Sequence, residues 1–397
     1  MMKTMVTRQQ STLSSDLQGI NQLTADGITG VVDLVESMHQ RITSLGGTLN
    51  TGDLNRTSGI TGFVYRRIRQ TTHLITGGLG LALRAVPPWQ SAVDNSPTRQ
   101  QWLSILNGVM GDHLQATGNP LALPMSLQYQ KQTLTAQQAA LASSSESGHP
   151  LLLLHGLCMN DWLWRRHGHD HGQALHQDAQ LTPIYVRYNS GLAVYQNGQQ
   201  LAALLKQFHA DLPADKQLQV LCHSMGGLVM RSAMHVAEQA GDDWPERLGK
   251  VVFLGTPHQG AVLEKTGNLI DYLLTINPYT APFAKLGHVR SHGIKNLRHG
   301  TITADHQTIQ LPPGVDGYAL AASTPVEGHQ WHQKWIGDGL VSVDSALGGH
   351  RHPEREVLFR ASHKYTFEQV SHMGLLSDQR VYQTLRKIFS NEPLHQC

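Results

Sequence analysis

The spacing of apolar residues divides the chain into two unlike stretches. Through residues 1–118 the apolar positions recur at intervals of three and four. Ile28, Val31, Val32, Leu34, Val35, Met38 and Ile42 form one such series, and Ile60, Phe63, Val64 and Ile68 a second. Trp102, Leu103, Ile105, Leu106, Val109, Met110 and Leu114 form a third. This is the period of one face of an α-helix. Gly46-Gly47 and Pro87-Pro88 interrupt it. The spacing predicts a helical N-terminal region over 1–118, followed by a connector over 119–148 that ends in the polar run at 142–148.

From residue 149 onward the pattern changes. Leu151–Leu154, Pro183–Tyr188, Leu218–Cys222, Val251–Leu254, Gly317–Ala322 and Glu356–Arg360 are short, continuously apolar or β-prone runs. Gln199–His209, Gly226–Ala240 and Arg380–Phe389, between and after them, have helical spacing. Strands that are apolar throughout, alternating with helices, predict a parallel sheet buried on both faces. The fold class expected is therefore α/β, with a helix-flanked parallel sheet over 149–397. The interval from Thr256 to Asp316 is too long for a bare loop. Leu263, Leu269, Ile270, Leu273 and Leu274 predict a helix within it, in an insertion or lid at about 258–312.

The most informative segment is Leu218–Met230, which reads strand, tight turn, helix. Ser224 falls on the turn, where a strained backbone would leave its hydroxyl exposed at the head of the sheet. Strand and helix pass close together at such a turn, so small residues are required on either side. Gly226 and Gly227 meet that need on the helix side, and Cys222 stands on the strand side where glycine is usual. The N–H of Met225, opening the helix, would face an oxyanion. A second donor is expected from the turn His155-Gly156-Leu157 after the first strand: Leu157 N–H, with Cys158 N–H as the alternative.

A serine hydroxyl attacks a carbonyl only when a base removes its proton. His372, in Val370-Ser371-His372-Met373-Gly374 before the last helix, is the candidate base, with His363 as competitor. Asp338, flanked by glycines in Ile336-Gly337-Asp338-Gly339, is the candidate for orienting that base, with Asp344 as alternative. The order Ser224, Asp338, His372, each after a strand, is the order in which α/β-hydrolases carry their triad.

At these residues the chain from about 149 to 392 resembles the α/β-hydrolase superfamily. More narrowly it is similar to bacterial lipase-like serine esterases and the inositol-deacylase-related branch. The matching pieces are LLLLHGL, VRYNSGLAVYQNGQQLAALL, CHSMGGLV, VVFLGTPHQGA, GDGLVSVDSALG and SHMGLLSDQRVY. The resemblance implies hydrolysis of carboxylic esters through an acyl-enzyme and without a cofactor. It puts the nucleophile on Ser224, the acid on Asp338, the base on His372, and the oxyanion donors on Leu157 and Met225. Some secreted lipases of this fold carry a calcium-binding Asp two residues after the catalytic histidine. Here that position is Gly374, so no metal is expected. An acyltransferase or amidase with the same triad, or a non-catalytic scaffold binding lipid or protein, are the rival readings.

Composition narrows the picture further. Net charge is +2, with 40% hydrophobic and 15% charged residues. This suits a globular protein and does not point to nucleic acid as a partner. Three cysteines form no disulfide framework. The first residues lack the apolar core of a signal peptide, and no apolar run is long enough to span a bilayer, so a cytoplasmic location is expected. The substrate expected is a small-molecule or lipid ester. Arg56, Arg66, Arg67, Arg69 and Arg84, with no acid among residues 56–84, mark a basic amphipathic stretch. Such a stretch suits peripheral contact with an anionic membrane, or, more commonly, a helix packed on the catalytic domain. The histidine tract at 167–176 reads as a loop entering a helix rather than a metal site, since no cysteine joins it. Cys158 and Cys222 are expected near the site, as small core residues or as a redox pair.

Overall fold

Leu151–Leu154 carry no polar side chain to turn toward water, so the strand they form has to be covered on both faces. The computed structural model describes residues 16, 18–20, 22 and 23, then 97–145, 148–261, 291–324 and 337–392. The periodic series at 28–42 and 60–68, the basic stretch 56–84 and the insertion residues 263–274 lie outside the described residues.

Helix α1 spans Pro97–Ala116. Strands β1 (Ser126–Tyr129) and β2 (Gln132–Leu134) form a hairpin, followed by helix α2 (Ala136–Ser145) and strand β3 (Pro150–Leu154). Helix α3 (His171–Ala179), strand β4 (Thr182–Arg187), helix α4 (Val194–Ala210) and strand β5 (Leu218–His223) come next. Helix α5 (Met225–Ala240), strand β6 (Leu248–Leu254), helix α6 (His292–His299) and strand β7 (Asp316–Ser323) follow. Strand β8 (Lys364–Glu368) and helix α7 (Gln379–Phe389) complete the order.

The strands form one sheet of eight in the order β2-β1-β4-β3-β5-β6-β7-β8. From β4 across to β8 every pairing is parallel, and the hairpin joins antiparallel through β1 and β4. Strands β3 and β5 are buried at every position, as two-sided covering by helices requires. The fold is thus the helix-flanked, mostly parallel α/β sheet that the sequence predicts. Among the described residues no helix is long and apolar enough to cross a membrane.

Two expectations are corrected. The boundary between an N-terminal region ending at 118, a connector over 119–148 and a catalytic domain from 149 does not match the packing. The stretch 119–148 supplies β1, β2 and α2, and α1 shares the core of the sheet through Trp102, Ile105, Val109 and Leu114. The last strand is Lys364–Glu368, not Glu356–Arg360. Val357 bonds through its N–H to the Gly348 carbonyl rather than to a strand. Lys364–Glu368 supplies the ladder to β7. It is an edge strand with no fully buried position, so its sequence carries little apolar signal.

Several histidines belong to the core. His155, His171 and His209 are buried, and burial lowers each from an ordinary value near 6.5 to about 4. Between pH 6.5 and 4 the unfolded chain takes up protons that the native state refuses. Stability is therefore full above pH 6.5, falls as pH drops, and levels off near pH 4. Each of these histidines contributes about 2 kcal/mol of loss at pH 5. Urea denaturation at pH 7.5 and pH 5 is expected to show a clearly lower midpoint at pH 5; equal midpoints would contradict neutral burial.

Candidate active site

The turn between β5 and α5 is held from both sides. Ser224 sits at φ 53, ψ −123, a conformation that L-residues rarely adopt. Its N–H donates to the Leu254 carbonyl at the end of β6, 2.9 Å away, which ties the turn to the neighbouring strand. A Cβ on Gly226 would lie 2.4 Å from the Leu154 carbonyl oxygen, and one on Gly227 2.1 Å from Thr256 Oγ1. Glycine is therefore the residue these two positions can hold. Cys222 fits on the strand side, opposite Leu154 and Phe253.

The serine hydroxyl, expected to be exposed, is buried: Ser224 is 0% exposed, and its Oγ has no hydrogen-bond partner among the described residues. The turn after β3 lies directly against it, so that a Cβ on Gly156 would come 3.0 Å from Ser224 Cβ.

His372 and Asp338 form a buried pair. His372 Nδ1 lies 2.6 Å from Asp338 Oδ2, and the His372 N–H donates to the Asp338 carbonyl at 3.2 Å. The other carboxylate oxygen of Asp338 accepts the N–H groups of Leu340 and Val341 at 3.1 and 2.9 Å. With both oxygens engaged, the carboxylate presents one edge to the imidazole. Its turn depends on Gly337, where a Cβ would fall 1.5 Å from the Val341 carbonyl oxygen.

The pair packs against residues that adjoin the Ser224 turn, His223 and Gly255. The His223 ring, one residue before the serine, lies 4.8 Å from the His372 ring, and its Nε2 approaches the His372 carbonyl at 3.2 Å. Gly255, next after the carbonyl that holds Ser224 N–H, has φ +56, and a Cβ there would lie 3.1 Å from His372 Cε1. The competitors are elsewhere. His363 stacks on Tyr318 at the start of β8 and approaches Asp316, at the opposite end of the strand from His372. Asp344 lies in the short helix Val343–Ala346, against Gly349.

The loop after β3 treats its two candidate donors differently. Cys158 N–H donates to Ser190 Oγ at 2.9 Å. Among the described residues the N–H groups of Leu157 and Met225 meet no acceptor. Leu157 therefore stays a candidate and Cys158 does not. Ser190 was not singled out from the sequence; it pins the loop that aims Leu157. Ser190→Ala is expected to lower kcat about tenfold with KM little changed, because a loosened donor weakens mainly transition-state stabilisation. An equal rise in KM with kcat intact would contradict that role.

Helix α1 was also missed as part of this region. Gly108 and Gly111, three residues apart on one helical face, let it approach closely. A Cβ on Gly108 would lie 2.2 Å from Cys158 Sγ, and one on Gly111 1.7 Å from Asn189 Oδ1. The signal was this small-residue pair within an otherwise bulky apolar series.

Cys158 and Cys222 are both free and buried, and burial pushes both thiols well above their ordinary range. Cys158 Sγ is directed at the Ile105 carbonyl of α1. The arrangement fits two core residues rather than a redox pair. In the histidine tract Asp170 caps α3 by accepting Gln173 N–H. His171 Nε2 lies 2.9 Å from the Leu375 carbonyl, just after His372. Among the described residues no group of three or more His, Cys, Asp or Glu could hold a metal ion.

Comparison with known proteins gives the following. A family model described as a domain of unknown function, DUF7379, matches residues 121–297. No curated protein matches the chain. Among solved structures, the chain is similar to the mature form of the Bacillus licheniformis lipase BlEst2, at 16% identity and a TM-score of 0.40, covering 61% of this chain and 92% of that one. It is similar to Aspergillus fumigatus lipase B, at 13% identity and a TM-score of 0.38, covering 62% of this chain and 53% of that one. It is also similar to YbtT, a type II thioesterase from the yersiniabactin biosynthetic pathway, at 17% identity and a TM-score of 0.37, covering 61% and 90%.

Proposed function

We propose that the protein is a serine hydrolase that cleaves carboxylic esters through an acyl-enzyme on Ser224. The observation that supports this reading is a serine on a strained strand-to-helix turn whose preceding residue, His223, lies against the buried His372–Asp338 pair. His372 Nε2 takes the proton from Ser224 Oγ as the oxygen bonds to the ester carbonyl carbon. Asp338 keeps the other imidazole proton on Nδ1 and stabilises the imidazolium. The carbonyl oxygen, now negative, accepts from the Leu157 and Met225 N–H groups. Collapse breaks the bond to the alcohol oxygen, which takes the proton from His372. Water then repeats the sequence on the acyl-enzyme, with His372 as base, and releases the acid and free Ser224.

A fluorophosphonate probe tests this directly, since it phosphonylates only an activated serine. The wild type is expected to gain one adduct, mapped by peptide mass spectrometry to the Ser224 peptide and lost in Ser224→Ala. An unlabelled wild type would sink the reading.

A further inference from the structure

A second polar site lies two turns along α5 from Ser224, about 10 Å by the rise of the helix. Arg231 is buried, at 4% exposed. Among the described residues no carboxylate pairs with it. Its Nη2 donates to the Ile309 carbonyl, and its Nη1 lies 3.4 Å from His258 Nδ1. Arginine has no lone pair to offer, so His258 Nδ1 is the acceptor of that contact and the imidazole proton resides on Nε2. His258 is neutral there, because burial and the neighbouring guanidinium both hold it well below its ordinary range.

Two buried donors remain, Arg231 Nε–H and His258 Nε2–H. Neither has a hydrogen-bond partner among the described residues. A buried cation without a counter-charge is strongly disfavoured, and unmet buried donors in a native protein call for an explanation.

Both residues line a cavity of about 160 Å³. Its other walls carry His299, His306 and Arg355, all exposed to solvent. No Asp or Glu is among the described residues that line it. Asp305, Glu354 and Glu356 are next to it in sequence, and Asp305 is engaged with Gln307. The cavity thus has a buried cationic floor and a rim of basic side chains. Such an arrangement draws in anions, and a guanidinium edge suits the oxygens of phosphate.

We propose that this cavity is an anion site that takes a phosphate group, either as inorganic phosphate or as the phosphomonoester of a larger ligand, with Arg231 and His258 as its floor and Arg355 and His306 at its mouth. The site does not depend on Ser224 being a nucleophile.

The test is thermal unfolding of the full chain, wild type and Ser224→Ala, titrated with inorganic phosphate against chloride at equal ionic strength at pH 7.5. A saturable rise specific to phosphate is expected in both, about 3 °C at ten times Kd. Arg231→Met should abolish it. Because that variant removes a buried side chain and could fail to fold, the exposed substitutions Arg355→Ala and His306→Ala are the second arm. Each should weaken phosphate binding about fivefold or more.

The source of the phosphate is separated by kinetics, an arm that does rest on the esterase reading. Two substrates are compared, monobutyrylglycerol and its phosphomonoester. If substrate carries the phosphate, inorganic phosphate competes with the phosphomonoester and leaves KM for monobutyrylglycerol unchanged. If free phosphate is the ligand, neither KM responds while the thermal shift persists. Absence of any phosphate-specific shift overturns the proposal. So does a shift that the two rim substitutions together leave intact.

Discussion

Ser224→Ala is expected to lower kcat for ester hydrolysis by about 10⁵–10⁶, leaving only what the oxyanion donors and binding supply without a nucleophile. The loss should not reflect unfolding. Alanine keeps the Cβ of serine, so the strain at φ 53 is the same in both proteins. The Oγ removed has no hydrogen-bond partner among the described residues, so its loss leaves no buried group unsatisfied. The measurement is turnover of p-nitrophenyl esters from acetate to palmitate, beside circular dichroism and a urea midpoint. A native-like variant that retains a tenth of the activity would move the nucleophile elsewhere. In the wild type, the chain-length profile would separate an esterase from a lipase.

The second large effect is expected from Asp338→Asn, a loss in kcat of about 10⁴ near neutral pH. The local hydrogen bonds dictate how the amide must lie. Leu340 and Val341 N–H both donate to Oδ1, so the amide oxygen has to occupy that position. An amide NH₂ there would face two donors. The NH₂ then faces His372 Nδ1, which becomes an acceptor, and the imidazole proton moves to Nε2. In that tautomer Nε2 cannot take the proton of Ser224. Substrate binding should change little, so the loss falls on kcat rather than KM. The control is Asp344→Asn, on a carboxylate that the fold does not bring to His372; it should stay within about twofold of wild type. If Asp344→Asn instead proves as damaging as Asp338→Asn, the assignment of the orienting acid is wrong.

How far the site could be read from sequence depends on how local each feature is. The serine turn is local: Ser224, Gly226 and Gly227 belong to one strand-turn-helix segment, and the close approach that demands glycine recurs wherever such a turn is made. The central strands β3, β5 and β6 were equally legible, since two-sided burial leaves a mostly apolar run in each. The edge elements were not. Gln132–Leu134 and Lys364–Glu368 keep exposed positions, and their strand character comes from pairing with a neighbour. Helix α1 had the right period, but its place against the loop after β3 is a matter of contact between Gly108 and Cys158, far apart in the chain.

The sequence by itself determined the alternation of strands and helices and the position of the serine turn, and the order of Ser224, Asp338 and His372 along it is what their proposed roles start from. The first two follow from apolar periodicity and backbone geometry within a few residues. The tertiary structure alone separated groups of equal chemical fitness: Asp338 pairs with His372 while Asp344 lies against Gly349, His363 stacks on Tyr318, and Cys158 N–H is taken up by Ser190 Oγ. Those differences rest on single contacts between segments well separated in the chain, such as Cys158 N–H to Ser190 Oγ and His372 Nδ1 to Asp338, 32 and 34 residues apart. The burial of Ser224 and of Arg231 was decided in the same way. Which side chains lose contact with water depends on what the folded chain packs over them, and no local pattern encodes that.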